Sequence, residues 1–132
     1  MIMPRLLVIE DDQPLLRALR LALEKLGHEV HEAGDGQAGL AAFQAHAIDL
    51  VVTDLIMPEM EGVETIRAIR KLSKTVPIIA ITGGGRGTSI DYLRMAQAFG
   101  AQEVFEKPFE LEILCAAVAR LLADGKQPGP GV

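Results

Sequence analysis

The chain has 132 residues, 49% of them hydrophobic, and a formal net charge of −5. This length fits one domain with a real core, and the even spread of apolar residues excludes a disordered chain. The negative charge, without any run of lysine or arginine, argues against direct binding of nucleic acid. The single cysteine, Cys115, cannot form an internal disulfide, so we predict a small buried hydrophobe and a cytoplasmic setting.

The first half of the chain predicts two strand and helix pairs. Residues 6–9 form a continuous apolar run that opens into acidic residues 10–12, which is typical of a strand buried on both faces. A helix with Pro14 in its first turn follows, and Gly27 is placed to end it. Residues 30–33 predict a short strand, and Asp35 can cap a helix that runs to about residue 46. No signal-like leader or long apolar span is found, so we expect neither secretion nor a membrane span.

The second half repeats this pattern three times. A mostly apolar run at residues 48–53 leads to Asp54, and a loop with Pro58 and Gly62 precedes the next helix. The remaining predicted elements are a strand at 76–81 ending at Thr82, a glycine-rich loop at 83–87, a helix at about 88–99, a strand at 103–106 ending at Lys107, and a helix at 109–123. The Pro- and Gly-rich end predicts one domain over residues 1–124 and a flexible tail over 125–132.

Five strands that alternate with five helices predict a doubly wound α/β fold, in which a parallel sheet is covered by helices on both faces. In such sheets ligands bind outside the carboxyl ends of the strands. The residues that we expect at this edge are Glu10, Asp11, Asp54, Thr82 and Lys107.

This set of residues predicts a site for phosphoryl transfer. Crowded carboxylates repel one another unless a hard divalent cation lies among them, and Mg²⁺ prefers such oxygen ligands. Lys107 adds a second positive charge beside the phosphate that the metal would bind. We therefore expect Asp54 to be the nucleophile.

The chain resembles the receiver domains of two-component response regulators, including single-domain chemotaxis-type regulators, from residue 5 to about residue 123. The resemblance is carried by residues 8–12 (VIEDD), 54–58 (DLIMP), Gly62, Thr82 and 107–109 (KPF). It implies a flavodoxin-like five-stranded sheet in the order 2-1-3-4-5. It also implies that the chain catalyses only its own phosphorylation and dephosphorylation, and is a switch and not an enzyme.

The resemblance also implies roles for single residues. Asp54 is expected to be the phosphoacceptor, and the Mg²⁺ ligands are expected to be Glu10, Asp11, Asp54 and the backbone carbonyl of Ile56. Thr82 is expected to hydrogen-bond a phosphoryl oxygen and Lys107 to pair with it, beside a cis peptide bond to Pro108. Val104 stands where many receivers carry the aromatic residue that reports phosphorylation, so we expect a different readout.

The partners implied are a sensor histidine kinase or phosphotransfer protein, and a downstream protein target or output domain. A second copy of the chain is also expected to bind, through the predicted helix 88–99, the strand 103–106 and the last helix. Direct nucleic-acid or membrane contacts are not expected.

Other interpretations of the same residues remain open at this point. The rival function is a phosphohydrolase that forms an aspartyl-phosphate with a small molecule, but Ile56 stands where such enzymes place a second acid. Asp11 or Asp12 could simply cap the first helix, and Thr82 could satisfy a loop. The glycines at 83–87 lack the residues of a phosphate-binding loop, and His28, His31 and His46 lack metal-ligand spacing.

Overall fold

The computed structural model describes residues 3–55, 62–83, 94, 97–98 and 100–126. The strands are β1 (Arg5–Ile9), β2 (Glu29–Ala33), β3 (Leu50–Asp54), β4 (Ile78–Thr82) and β5 (Glu103–Glu106). The helices are α1 (Gln13–Lys25), α2 (Gly36–Ala45), α3 (Gly62–Leu72) and the C-terminal helix (Leu111–Lys126). Among the described residues, no helix combines the length and the apolar character needed to cross a bilayer.

All five strands pair in parallel, in the order β2-β1-β3-β4-β5. Every residue of β3 and β4 is buried, because helices cover both faces of the sheet and leave no solvent-exposed side. The continuous apolar runs of the sequence therefore identified the central strands. The predicted doubly wound fold and its strand order are confirmed.

The core consists of two layers, one on each face of the sheet. Alternate residues of the central strands, such as Leu6 and Leu7, point to opposite faces, since side chains alternate along a strand. One layer joins the sheet to α1 and the C-terminal helix and includes Cys115, which is buried as predicted. The other layer joins the sheet to α2 and α3.

The ends of the first two helices follow from their capping residues. Asp12 Oδ1 accepts a hydrogen bond from the Leu15 N–H at 3.3 Å, and Asp35 Oδ1 accepts one from the Ala38 N–H at 2.8 Å. Gly27 adopts a left-handed conformation, with a φ of 94°, directly after α1. The capping acid of α1 is therefore Asp12, and Asp11 is left for another role.

Some predicted boundaries were wrong by two or three residues. β4 begins at Ile78 and not at residue 76, and Val51 N donates to the carbonyl of Pro77 immediately before it. The C-terminal helix begins at Leu111 and not at residue 109. Phe109 precedes the helix and packs beside Phe105 with a ring-centroid distance of 5.9 Å. The same helix continues to Lys126, beyond the predicted end at residue 123. The helix expected at 88–99 and the tail from residue 127 onward lie largely or wholly outside the described residues.

Candidate functional site

The residues expected to carry the chemistry lie at the carboxyl-terminal edge of the sheet. Glu10 and Asp11 follow β1, Asp54 is the last residue of β3, Thr82 is the last residue of β4, and Lys107 follows β5. Because the strands are parallel, their carboxyl ends meet at one edge and bring these side chains together. The predicted metal ligand Ile56 and the loop residues 57–58 lie outside the described residues.

Lys107 is the centre of the charged contacts. Its Nζ donates a hydrogen bond to Asp54 Oδ2 at 2.9 Å. The same nitrogen lies 3.2 Å from Glu10 Oε1 and 3.4 Å from Glu10 Oε2, but only the longer contact has the geometry of a hydrogen bond. Burial lowers the pKa of Lys107, and the hydrogen bond and charge of Asp54 outweigh that effect and raise it. The lysine is therefore held as a cation between two carboxyl groups.

The acidic side chains differ in their exposure. Glu10 is fully buried and Asp54 is 2% exposed, whereas Asp11 is exposed. Burial, followed by a hydrogen bond with the Asp54 carboxylate, raises the pKa of Glu10 to about 8. The Asp12 N–H donates to Glu10 Oε2 at 3.1 Å and opposes this shift. In the metal-free protein, Glu10 therefore tends to keep its proton at neutral pH.

Two buried oxygen atoms at this edge have no hydrogen-bond partner among the described residues. They are Oε1 of Glu10 and Oγ1 of Thr82, which is 1% exposed. Buried polar atoms are nearly always hydrogen-bonded in folded proteins, so an exception at a cluster of charges indicates a site that a ligand completes. Glu10 follows β1 and Thr82 ends β4, so the two atoms come from different parts of the chain but share the edge that carries Lys107.

The acidic side chains could hold a metal ion. One carboxylate oxygen from each of Glu10, Asp11 and Asp54 lies within 4.8 Å of the other two. These are hard oxygen donors of the type that Mg²⁺ and Ca²⁺ prefer. Oε1 of Glu10 accepts no hydrogen bond among the described residues, although Lys107 Nζ lies 3.2 Å from it. This atom fits such an ion, because a metal cation would coordinate it and displace the proton of Glu10.

Three features near the site were expected only from the resemblance or were missed. The peptide bond between Lys107 and Pro108 is cis, as the resemblance implies. Val104 is partly buried against the core layer of α2 and α3, whereas Phe105 packs on the opposite layer. Thr53 is fully buried, and its hydroxyl contacts the Asp54 backbone, which the sequence did not indicate. Its side chain lies on the opposite face of the sheet from that of Asp54, because side chains alternate along a strand.

The histidines lie away from this acidic cluster. His46 caps the end of α2, and its ring stacks on that of His31 with centroids 4.0 Å apart. The Nε2 atom of His31 also lies 2.7 Å from Oε2 of Glu29. This stacking could not be predicted from the sequence, because β2 and the end of α2 are distant in the chain. No metal-ligand cluster that contains a histidine is found among the residues described.

A family model, curated relatives and solved structures all relate this chain to the same group of proteins. A family model described as the response regulator receiver domain matches residues 6–119. The transcriptional regulatory protein AfsQ1 of Streptomyces coelicolor is 35% identical over 125 residues, which cover 95% of this chain and 54% of AfsQ1. The response regulator ArlR of Staphylococcus aureus is 37% identical over 121 residues, which cover 91% of this chain and 53% of ArlR.

The chain thus spans about half the length of these curated relatives. Among solved structures, a response regulator receiver domain protein of Clostridium thermocellum is 31% identical with a TM-score of 0.86, and the match covers 94% of this chain and 98% of that one. Both the sequence and the sheet topology therefore lead to one conclusion: the chain belongs to the response regulator receiver domain family of two-component signalling.

Proposed function

We propose that the domain, over residues 1–124, is a Mg²⁺-dependent switch in which Asp54 accepts a phosphoryl group from a histidine of a partner kinase or phosphotransfer protein. The observation that carries the proposal is the contact of 2.9 Å between Lys107 Nζ and the buried Asp54 carboxylate, within an acidic cluster that could hold a metal. Residues 125–132 stay a proposed tail outside this switch, although the C-terminal helix continues through residues 125 and 126.

In the proposed reaction, a carboxylate oxygen of Asp54 attacks phosphorus while the bond from phosphorus to the donor histidine nitrogen breaks. The nitrogen keeps the bonding electron pair, and the new oxygen–phosphorus bond makes Asp54 an acyl phosphate. Asp54 needs no general base because an ionised carboxylate is already a nucleophile. The protein contributes mainly by positioning and by neutralising charge.

Each neighbouring side chain has a task in this scheme. Lys107 offsets negative charge on the phosphoryl oxygens, and the Thr82 hydroxyl is free among described groups to donate to one of them. Glu10, Asp11 and Asp54, with the backbone carbonyl of Ile56, would hold Mg²⁺. When bound, Mg²⁺ neutralises charge on the phosphoryl group and on the crowded carboxylates.

The rival proposal is a phosphohydrolase that turns over a small molecule. It would need an acid two residues after the nucleophile, where this sequence has Ile56. The switch function therefore explains the residues better, and self-catalysed phosphorylation and dephosphorylation are the only chemistry that we propose.

The proposed partners follow from the family and the charge. They are the kinase or phosphotransfer protein, and a downstream protein or output domain that binds the phosphorylated form. A second copy bound through residues 88–99, β5 and the C-terminal helix stays a prediction, because most of 88–99 lies outside the described residues. The net charge of −5 supports the absence of a direct nucleic-acid contact, and the buried thiol of Cys115 suits the cytoplasm.

The first experiment tests the phosphoacceptor. Wild-type protein incubated with acetyl phosphate and Mg²⁺ is expected to gain one phosphoryl group by intact-mass measurement. Asp54→Asn should gain none, because an amide is not a competent nucleophile, and excess EDTA should prevent labelling of the wild type. Equal labelling of Asp54→Asn would exclude Asp54, and labelling undiminished by EDTA would exclude a role for the metal.

The second experiment tests the metal ligands. Asp11→Asn should weaken Mg²⁺ binding by roughly tenfold, which corresponds to about 1.4 kcal/mol. The metal-free fold should be equally stable or more stable, since one of three crowded carboxylates has been neutralised. Mg²⁺ titration followed by thermal shift measures both quantities. The matched control is Asp12→Asn, since Asp12 lies next to Asp11 but caps α1, and Asn is an equally good capping residue.

A further inference from the structure

A buried hydroxyl lies directly behind the proposed phosphoacceptor. Thr53 is fully buried, and its Oγ1 donates a hydrogen bond to the backbone carbonyl of Asp54 at 3.2 Å. In the sheet, Thr53 aligns with Ile9 on β1 and Ala80 on β4, so its strand neighbours are apolar. Because a buried hydroxyl needs a hydrogen-bond partner, that of Thr53 depends on the Asp54 carbonyl.

The carbonyl of Asp54 is also held from the helix side. A Cβ atom built on Gly62, the first residue of α3, would overlap the Asp54 carbonyl oxygen and the Leu55 Cα. The Gly62 N–H donates to the Leu55 carbonyl at 3.0 Å, and the Leu55 N–H donates to the Ile81 carbonyl at 2.7 Å. The last peptide of β3 is thus fixed by β4, by the start of α3 and by the Thr53 hydroxyl.

We propose that Thr53 is a positioning residue for phosphoryl transfer, because its hydroxyl fixes the tilt of the peptide that carries the Asp54 side chain. The inference rests on the proposed function of Asp54 as phosphoacceptor. A rotation of this peptide would swing the carboxylate relative to Lys107 Nζ, 2.9 Å away, and displacements of about 1 Å can slow a positioned reaction by roughly 100-fold.

Four side chains at position 53 separate the hydroxyl from the size of the side chain. Thr and Ser carry the hydroxyl, whereas Val and Ala lack it; Thr and Val are nearly equal in size, and so are Ser and Ala. If Thr53 positions Asp54, the phosphorylation rate follows the hydroxyl. If Thr53 only fills space, both the rate and the stability follow the size.

The experiment measures the rate of phosphorylation by acetyl phosphate over a range of donor and Mg²⁺ concentrations, with thermal melting of each variant. Thr53→Val should lower the maximal rate roughly threefold to tenfold, the range expected for loss of one hydrogen bond. Half-saturating Mg²⁺ and donor concentrations should be unchanged, and the melting temperature should stay within about 4 °C of wild type. Thr53→Ser should keep the wild-type rate despite its lower stability.

Equal maximal rates for wild type and Thr53→Val would overturn the inference, as would rates that follow size. If Thr53→Val does not fold, the comparison of Thr53→Ser with Thr53→Ala decides the question, since these two differ only in the hydroxyl. A wild-type protein that is never labelled on Asp54 would instead overturn the proposed function itself, so the two failures are distinguishable.

Discussion

The two edges of the sheet differ in how completely their buried polar groups are satisfied. At the amino-terminal edge, before β4 and β5, the half-buried Arg70 guanidinium donates hydrogen bonds to four neutral oxygens. These are the carbonyls of Ser73 (3.2 Å), Val76 (2.7 Å) and Gly100 (2.6 Å), and Oε1 of Gln102 (3.2 Å). Burial lowers the pKa of Arg70, but an arginine remains charged at any ordinary pH. One cation thus joins α3 to the segments that lead into two strands.

The carboxyl-terminal edge has the opposite character. It contains a buried pair of carboxyl groups and two buried oxygens without a hydrogen-bond partner among the described residues, Oε1 of Glu10 and Oγ1 of Thr82. The two edges therefore differ in role. The amino-terminal edge stabilises the fold, whereas the carboxyl-terminal edge keeps polar groups whose hydrogen bonds are unmade and that a metal ion and a phosphoryl group can satisfy. Substitutions at the two edges should therefore have opposite effects on stability.

The largest expected loss of stability is at Arg70. Arg70→Met should lower the free energy of unfolding by about 2 kcal/mol, because it leaves partly buried carbonyls without donors. Urea unfolding measures this effect. The matched control is Arg120→Met, because Arg120 is 54% exposed and pairs only with Glu103 in the described contacts, so its loss should change the same quantity by less than about 1 kcal/mol.

Phosphorylation of folded Arg70→Met by acetyl phosphate should proceed at the wild-type rate, since Arg70 is at the far edge from Asp54. An Arg70→Met protein as stable as the wild type would contradict the division between the two edges. A folded Arg70→Met protein that cannot be phosphorylated would also contradict it.

The next prediction concerns the pH dependence that Glu10 gives to the metal-free protein. Its pKa is raised from 4.5 to about 8, chiefly by burial, so the protonated form favours the folded state. This contribution is fully present below about pH 4.5 and is lost as the pH rises through 8. Glu10→Gln is neutral at every pH, so in EDTA its stability should exceed that of the wild type increasingly from pH 5 to pH 9.

Urea unfolding at several pH values measures the difference between the two proteins. Glu64→Gln, which replaces an exposed carboxylate on α3, serves as the control and should follow the wild-type pH profile. Added Mg²⁺ should reverse the order at high pH by stabilising only the wild type. A constant difference in stability between Glu10→Gln and wild type across this pH range would show that the pKa of Glu10 is not raised in the folded protein.

Much of this comparison could be predicted from the sequence, but not all of it. The apolar runs located the central strands, and parallel topology then placed Asp54, Thr82 and Lys107 at one edge without any knowledge of side-chain contacts. Arg70 could not be predicted as a structural cation, because its role depends on carbonyls at residues 73, 76 and 100 that only the tertiary fold brings together. The full burial of Glu10 was hidden for the same reason, since an acid in a loop usually lies in solvent.

The smallest expected change in stability is at Thr82. Loss of a polar group should destabilise the fold at the edge held by Arg70, but not at Thr82, whose hydroxyl has no partner among the described residues. Removing a hydroxyl that has a partner destabilises a protein, whereas removing an unsatisfied buried hydroxyl does not. Thr82→Val keeps the shape of the side chain, so the free energy of unfolding should stay the same or rise by about 1 kcal/mol. The rate of phosphorylation by acetyl phosphate should nevertheless fall by roughly tenfold, because a hydrogen bond to a charged phosphoryl oxygen is lost.

Thr82→Ser separates these two effects, because it retains the hydroxyl and loses only the methyl group. Its rate should remain close to that of the wild type, while its stability should fall by about 1 kcal/mol through the lost buried methyl. Urea unfolding and intact-mass kinetics on the three proteins give a two-way test: stability should rank Val at least equal to Thr and above Ser, whereas the rate should rank Thr and Ser above Val. A Thr82→Val protein that loses both stability and rate would mean that the hydroxyl already has a structural partner, and the carboxyl-terminal edge would then be no less satisfied than the edge held by Arg70.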